Sequence, residues 1–197
     1  MGPTDEDLVE AFQAGDLSAF DDLLRRWDRK IQGAIYRIMG SEDEARDLCQ
    51  ETFLKAYRAL RGFKGEARFS SWLYQIALNV CRDRMRRRKG RRMVSLEGLD
   101  EEGTPLPVPP GPSALDVVEA NDLARAVAAA VAGLPEDERE VIVLKEYQGL
   151  TFLEIAGVLG LPISTVKTRL YRGLGVLKER LERQGVRSAA PAPAAWP

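Results

Sequence analysis

The stretch from Thr151 to Lys178 constrains the fold more than any other, because it encodes two short amphipathic helices joined by a turn that few residues allow. Thr151 caps the first helix, and Glu154 stands three residues on, in the capping-box position. Leu150, Ile155, Ala156 and Leu159 supply its apolar face. Gly160 suits a left-handed helix end, and Pro162 stops the chain from continuing in register. A second helix begins beside Ile163. Its apolar residues Ile163, Val166, Leu170, Leu174, Leu177 and Leu181 recur three or four apart, which predicts one buried stripe. Ser164, Thr165, Lys167, Thr168, Arg169 and Arg172 are left facing outward, with no acid among them. Such a pair reads as a helix-turn-helix whose second helix enters the major groove of duplex DNA. The competing reading is a corner of an ordinary bundle with a solvated basic face.

Length and composition limit what surrounds this motif. With 197 residues, 45% hydrophobic and 30% charged, the chain suits one or two small soluble domains. It has no run of eighteen apolar residues, and Met1 to Glu10 is acidic rather than basic-then-apolar. A cytoplasmic protein without membrane insertion is therefore expected. There is no histidine, and Cys49 and Cys81 both fall inside helical patterns, where they suit small buried hydrophobes. A metal site, a histidine acid or base and a disulfide framework are disfavoured. No catalytic constellation or phosphate-cradling glycine loop is present, so neither an enzyme nor a cofactor is expected. The formal net charge of −1 hides segregation: residues 1–60 carry −5, 61–92 carry +9, 93–122 carry −7 and the remainder +2. Separate surfaces for separate partners follow.

Helical periodicity runs from Asp5 to about Met39, interrupted at Gly15-Asp16, with Leu8, Val9 and Phe12 and then Phe20, Leu23, Leu24, Trp27, Ile31, Ile35 and Ile38 as its apolar positions. After Gly40, Ser41 and Glu44 form a second capping-box pattern. The helix that follows buries Leu48, Cys49, Phe53 and Leu60 and leaves Asp47, Gln50, Glu51, Lys55 and Arg58 on a mixed polar face, by itself a solvated surface. Arg61 to Phe69 is a loop by its glycines, and it interleaves Phe63 and Phe69 with cations. That mixture suits single-stranded nucleic acid, whose bases stack on rings while cations follow the backbone. Phe63, Phe69, Trp72 and Tyr74 equally suit an ordinary core. The next helix, expected from about Ser70 to Arg88, aligns Gln75, Asn79, Arg82 and Arg86 on one face able to reach base edges and phosphates.

Eight cations fall within Arg82 to Arg92, a phosphate-binding run in this setting. From Met93 the chain turns acidic and proline-rich, predicting a linker. Fully extended, some 25 residues reach ~80 Å, comparable to ~24 base pairs. Helical patterns return near Asp116 through Leu123, Val127 and Val131. They restart at Leu134-Pro135-Glu136, with Val141, Ile142, Leu144 and Tyr147 on the core face. The tail after Gly185 is expected to be disordered.

Four stretches in this order, Asp47 to Arg58, Phe69 to Asn79, Leu134-Pro135-Glu136, and Gly149 through Arg172, resemble bacterial RNA polymerase sigma factors of the extracytoplasmic-function (ECF) group. The resemblance implies an all-α protein of two small helical domains joined by a flexible acidic, Pro-rich linker. Residues 1–92 would form region 2, 93–117 the linker, 118–184 region 4, and 185–197 the tail. It implies core-polymerase docking by Asp47, Gln50, Glu51, Lys55 and Arg58. It implies recognition of a melted −10 element by Phe63, Lys64, Phe69, Ser70, Ser71, Trp72, Gln75, Asn79, Arg82 and Arg86. Reading of a −35 duplex falls to Thr165, Lys167, Thr168, Arg169, Tyr171 and Arg172, with Thr165 on phosphate. Base capture would offset unstacking without ATP. The resemblance further implies core RNA polymerase, promoter DNA and an anti-sigma factor as partners, and a linker threading toward the RNA exit path. A helix-turn-helix regulator binding duplex DNA alone remains the alternative.

Overall fold

The structure, a computed structural model, describes residues 2–95 and 118–183, with side chains at 2–90 and 123–183. Every regular element among them is helical. The order is α1 (Asp5–Gln13), α2 (Ser18–Met39), α3 (Glu42–Leu60), α4 (Phe69–Ser95), α5 (Val118–Ala132), α6 (Glu136–Ile142, continued by a π-turn over Val143–Tyr147), α7 (Phe152–Leu159) and α8 (Ile163–Arg183). The linker and tail expectations fall largely outside the described residues. Helix α4, however, continues through Gly90 to Ser95, past the helix end expected near Arg88 and the boundary expected at residue 92.

Local signals set the helix ends. At α7, Thr151 Oγ1 accepts from the Glu154 amide while the Glu154 carboxylate accepts from the Thr151 amide, a complete capping box. Its far end closes on Gly160 at φ 66°, a left-handed position that disfavours a side chain. The Ser41 box is only half formed. Ser41 Oγ accepts from the Glu44 amide at 3.4 Å, but the Glu44 carboxylate turns to Arg84 at 3.6 Å and Arg88 at 3.0 Å on α4. Two guanidiniums outcompete one backbone amide for the carboxylate.

Helices α1 to α4 close over Phe12, Leu23, Ile31, Ile35, Leu48, Leu60 and Leu73, all fully buried. Each such side chain contributes about 1.5–3 kcal/mol on burial. Helices α5 to α8 close over Leu134, Ile142, Leu144, Ile155 and Val166. Gly173 lets α8 lie against α6, since a Cβ there would meet Ile142 Cδ1 at 2.7 Å and Glu138 Cβ at 3.2 Å.

Some positions expected in the core lie at the surface. Ile163 and Leu174 of the α8 stripe, Leu24 and Leu123 are all exposed; α8 buries Val166, Leu170 and Gly173 fully and packs Val176 and Leu177 partly. Tyr147 is exposed as well. In the π-turn the Gln148 amide bonds the Val143 carbonyl five residues back, and the extra residue swings Tyr147 out of the helical register. Its ring sits beneath the Arg37 guanidinium, 4.3 Å from the centroid.

Both cysteines are buried, and burial pushes each thiol up to about 12, with Asp28 adding to the effect at Cys49. Native protein at pH 8 should resist iodoacetamide and then incorporate two equivalents in denaturant; rapid native labelling would contradict the burial. Raised thiol values also mean that this stability contribution is complete below the unfolded thiol value near ~8.5 and falls as pH rises toward 12. In the second half, Gly173→Ala should cost about 1–3 kcal/mol by overpacking, measured by denaturant unfolding.

Candidate nucleic-acid interface

The loop between α3 and α4 reverses through Gly65 at φ 70°. From it a chain of rings runs inward: Phe63 on Trp72 at 4.9 Å, Trp72 on Phe69 at 5.8 Å, and Phe69 on Trp27 at 6.3 Å. Phe63 and Trp72 are half-buried at the outer end, where a ring face can accept a base. Phe69 and Ser71 are buried, so neither offers a surface to a strand. The helix begins at Phe69 rather than after it, and its first turn points both side chains inward. Lys64 on the loop and Gln75, Asn79 and Arg86 along α4 are exposed, and Ser70 is half-buried. Arg86 pairs with Asp83, and that contact holds the Asp83 carboxyl below the usual carboxylate range.

Arg82, on the same face of α4, is engaged across the molecule. Its Nε and Nη2 donate to the two carboxylate oxygens of Glu140 at 2.8 and 2.5 Å. Glu140 is 2% exposed. The pair is bidentate, its carboxylate dry and its guanidinium partly solvated, and the hydrogen bond to Glu140 raises the Arg82 guanidinium value further. Nothing in sequence spacing links α4 to α6, and Glu140 was not among the expected site residues.

Other ties join the two halves. Tyr74 Oη donates to Gln148 at 2.6 Å, Arg139 donates to the Ile38 carbonyl at 2.7 Å, and Lys89 meets Glu136 at 2.9 Å. Arg68, on the ring-bearing loop, reaches Glu154 of α7 at 3.2 Å. The loop and the helix-turn-helix therefore touch.

On α8, Lys167, Thr168, Tyr171 and Arg172 are exposed, and Thr165 and Arg169 are half-buried. The Thr168 hydroxyl donates to the Ser164 carbonyl at 2.9 Å, and Lys167 lies 5.6 Å from the Phe152 ring centroid. Arg169 pairs with Asp137 of α6 at 2.7 Å, which aims its guanidinium. On α3, Asp47, Gln50 and Arg58 are exposed, while Glu51 and Lys55 are half-buried and pair with each other at 2.9 Å. Leu54 shares that face and is 58% exposed, with Tyr57 beside it also exposed. The face is thus amphipathic rather than merely polar. Its signal was the 47, 50, 54, 58 spacing, which places a leucine among the polar residues. Among the described residues no group of side chains has the makings of a metal site, and no helix is long and apolar enough to cross a membrane.

An outward aromatic pair beside a cationic helix on one half, and a basic helix-turn-helix on the other, give an all-helical protein two cationic surfaces of the kind that suit nucleic acid. Residues 23–91 match Sigma-70 region 2, and residues 124–177 match Sigma-70, region 4. The RNA polymerase sigma-H factor of Pseudomonas aeruginosa is 35% identical, over 90% of this chain and 94% of that one. The ECF RNA polymerase sigma factor SigW of Bacillus subtilis is also 35% identical, over 88% and 94%. This chain belongs to the ECF group of sigma factors. Among solved structures, CnrH in complex with the cytosolic domain of CnrY aligns at TM-score 0.67 and 29% identity, covering 91% of this chain and 97% of that one. The sigma factor RpoE in complex with the anti-sigma factor NepR from Bartonella quintana aligns at 0.68 and 25%, covering 84% and 98%.

Arg82→Ala would leave the Glu140 carboxylate buried and unpaired. A loss of about 3 kcal/mol is expected in denaturant unfolding, at the low end for broken buried pairs because Arg82 itself is partly solvated, with a smaller loss for Glu140→Gln. Equal stability of Arg82→Ala and the parent would contradict the pairing.

Proposed function

We propose that the chain acts as an alternative sigma subunit that docks on core RNA polymerase, reads a −35 duplex with α8, and captures the melted −10 strand on the α3–α4 loop and the outer face of α4. The observation that carries this reading is the Phe63–Trp72 ring pair at the mouth of a cationic helix, on one chain with a basic helix-turn-helix. A duplex-only regulator has no use for the first feature. Bases stacked on such rings contribute on the order of 1–3 kcal/mol each.

The roles divide by face. On α3, Asp47, Gln50, Glu51, Lys55 and Arg58 form the polymerase-docking face, with Leu54 as an apolar contact within it. Phe63, Lys64, Ser70, Trp72, Gln75, Asn79, Arg82 and Arg86 hold the single strand, while Phe69 and Ser71 shape the pocket from beneath. Lys167, Thr168, Arg169, Tyr171 and Arg172 read the −35 groove, and Thr165 contacts phosphate. The chain works in the cytoplasm, without catalysis of its own, and the linker leads toward the RNA exit path. Two structural relatives are held by the cytosolic domain of CnrY and by the anti-sigma factor NepR. We extend that kind of control to this chain.

Geometry adds a requirement. Elements read at −10 and −35 are separated by ~25 base pairs, about 85 Å. Arg68 and Glu154 stand 3.2 Å apart, so the loop and the helix-turn-helix cannot occupy both elements while joined. Promoter engagement requires the two halves to part.

Run-off transcription by sigma-free core polymerase, with and without the protein, on promoter fragments from its own genome, tests the reading. Specific transcripts appearing only with the protein, with permanganate-reactive thymines near −10, are expected. Tight duplex binding by the protein alone, with no complex on core polymerase, would instead favour a free-standing regulator. Arg172→Ala should lower use of promoters bearing a −35 element by about tenfold, the loss of one good base contact, and leave core affinity unchanged. Asp47→Ala with Gln50→Ala should lower core affinity and leave duplex contacts unchanged. The converse result in either variant would remove the assigned role.

A further inference from the structure

The shortest helix of the first half, α1, carries no residue of the polymerase-docking or DNA-reading sets, yet its last residue reaches the loop that does. Gln13 Nε2 donates to the Leu60 carbonyl at 3.0 Å and to the Phe63 carbonyl at 2.7 Å. Leu60 ends α3, and its carbonyl, which already accepts from the Phe63 amide at 3.1 Å, takes Gln13 as a second donor. Phe63 is the loop residue whose ring packs at a tilt against Trp72. One amide thus ties the end of α3 to the backbone of the outward ring. The residues between are held otherwise only by short turns, the Gly62 amide to the Ala59 carbonyl and the Phe63 amide to the Leu60 carbonyl. Beyond them the loop continues through Gly65 in a left-handed conformation, a segment that gains from external restraint.

Helix α1 is well placed to supply that restraint. Leu8, Val9 and Phe12 anchor it in the core, and Phe12 meets Tyr57 of α3 edge-on at 5.3 Å. At its start Thr4 and Asp7 form a complete capping box. Capped at one end and packed over Leu8, Val9 and Phe12, α1 holds the exposed Gln13 side chain against the loop.

We propose that Gln13 is a positioning residue for single-strand capture, fixing the Phe63 backbone so that the Phe63–Trp72 pair is already ordered before a base arrives. This rests on the reading of the α3–α4 loop as the −10 reader and deepens it. Preordering matters because a loop that must order on binding forfeits affinity to the entropy of ordering. The amide's two N–H donors meet two carbonyls, a match that a carboxylate of the same shape cannot make.

The test compares Gln13→Ala, the isosteric Gln13→Glu and the donor-restoring Gln13→Lys, each as full chain assembled with core polymerase. The probe is a fork-junction DNA bearing the −10 sequence that the parent holoenzyme selects from a randomised pool. Gln13→Ala and Gln13→Glu should lose about tenfold in fork affinity and show weaker permanganate reactivity near −10, with core affinity and −35 duplex contacts unchanged. Gln13→Lys should recover most of the loss. Parent-like fork affinity in Gln13→Glu would overturn the proposal. So would a parallel fall in fork affinity, core affinity and thermal midpoint without rescue by Gln13→Lys, the pattern of a merely structural residue. A parent holoenzyme that selects no fork at all, while still binding core polymerase, would overturn the loop assignment and this inference with it.

Discussion

The bidentate pair between Arg82 and Glu140 is the interaction on which the arrangement of the two halves depends. A carboxylate 2% exposed is stable only with a partner that fills its lone pairs, and the Arg82 fork supplies two donors in one plane. The other polar ties, Tyr74 to Gln148, Arg139 to the Ile38 carbonyl, Lys89 to Glu136 and Arg68 to Glu154, are individually modest. Since Arg82 belongs to the face assigned to the melted strand, the contact that closes the molecule also neutralises a cation that DNA would need. A phosphate and the Glu140 carboxylate offer that fork the same kind of acceptor, so under the proposed assignment closure and strand capture would compete for it.

The division of labour within the first half follows from where the rings sit. Phe12, Phe20 and Tyr57 form one aromatic group and Trp27, Phe69, Trp72 and Phe63 another. The second reaches the α3–α4 loop through Phe63. Its inner members are buried and its outer members half-buried, so under the proposed role a base on Phe63 or Trp72 would rest on a column continuous with the core.

Much of this was legible in the sequence where the signal is local. The Thr151–Glu154 box, the Gly160 turn and the all-α character follow from residues three or four apart. The helix-turn-helix was readable for the same reason. Features fixed by tertiary contacts were not. Glu44 left its box for two arginines on another helix. Glu140 carries no sign in the sequence of its partner 58 residues away. Phe69 reads as the last loop residue and Ser71 as part of the next helix, both as −10 contacts; only the inward orientation of the helix's first turn buries them. Tyr147 left the core because a π-turn shifts register, which helical periodicity cannot foresee.

Whether the halves close in the free chain and part on a promoter is measured most directly by a distance. With both native thiols buried, cysteines introduced as Glu66→Cys on the loop and Leu153→Cys on α7 are the reactive positions for a fluorophore pair flanking the Arg68–Glu154 contact. Efficient energy transfer is expected in the free protein, and a separation approaching ~85 Å, about 25 base pairs, in a promoter complex. An unchanged short distance in that complex, or a long distance already present in the free chain, would contradict that change.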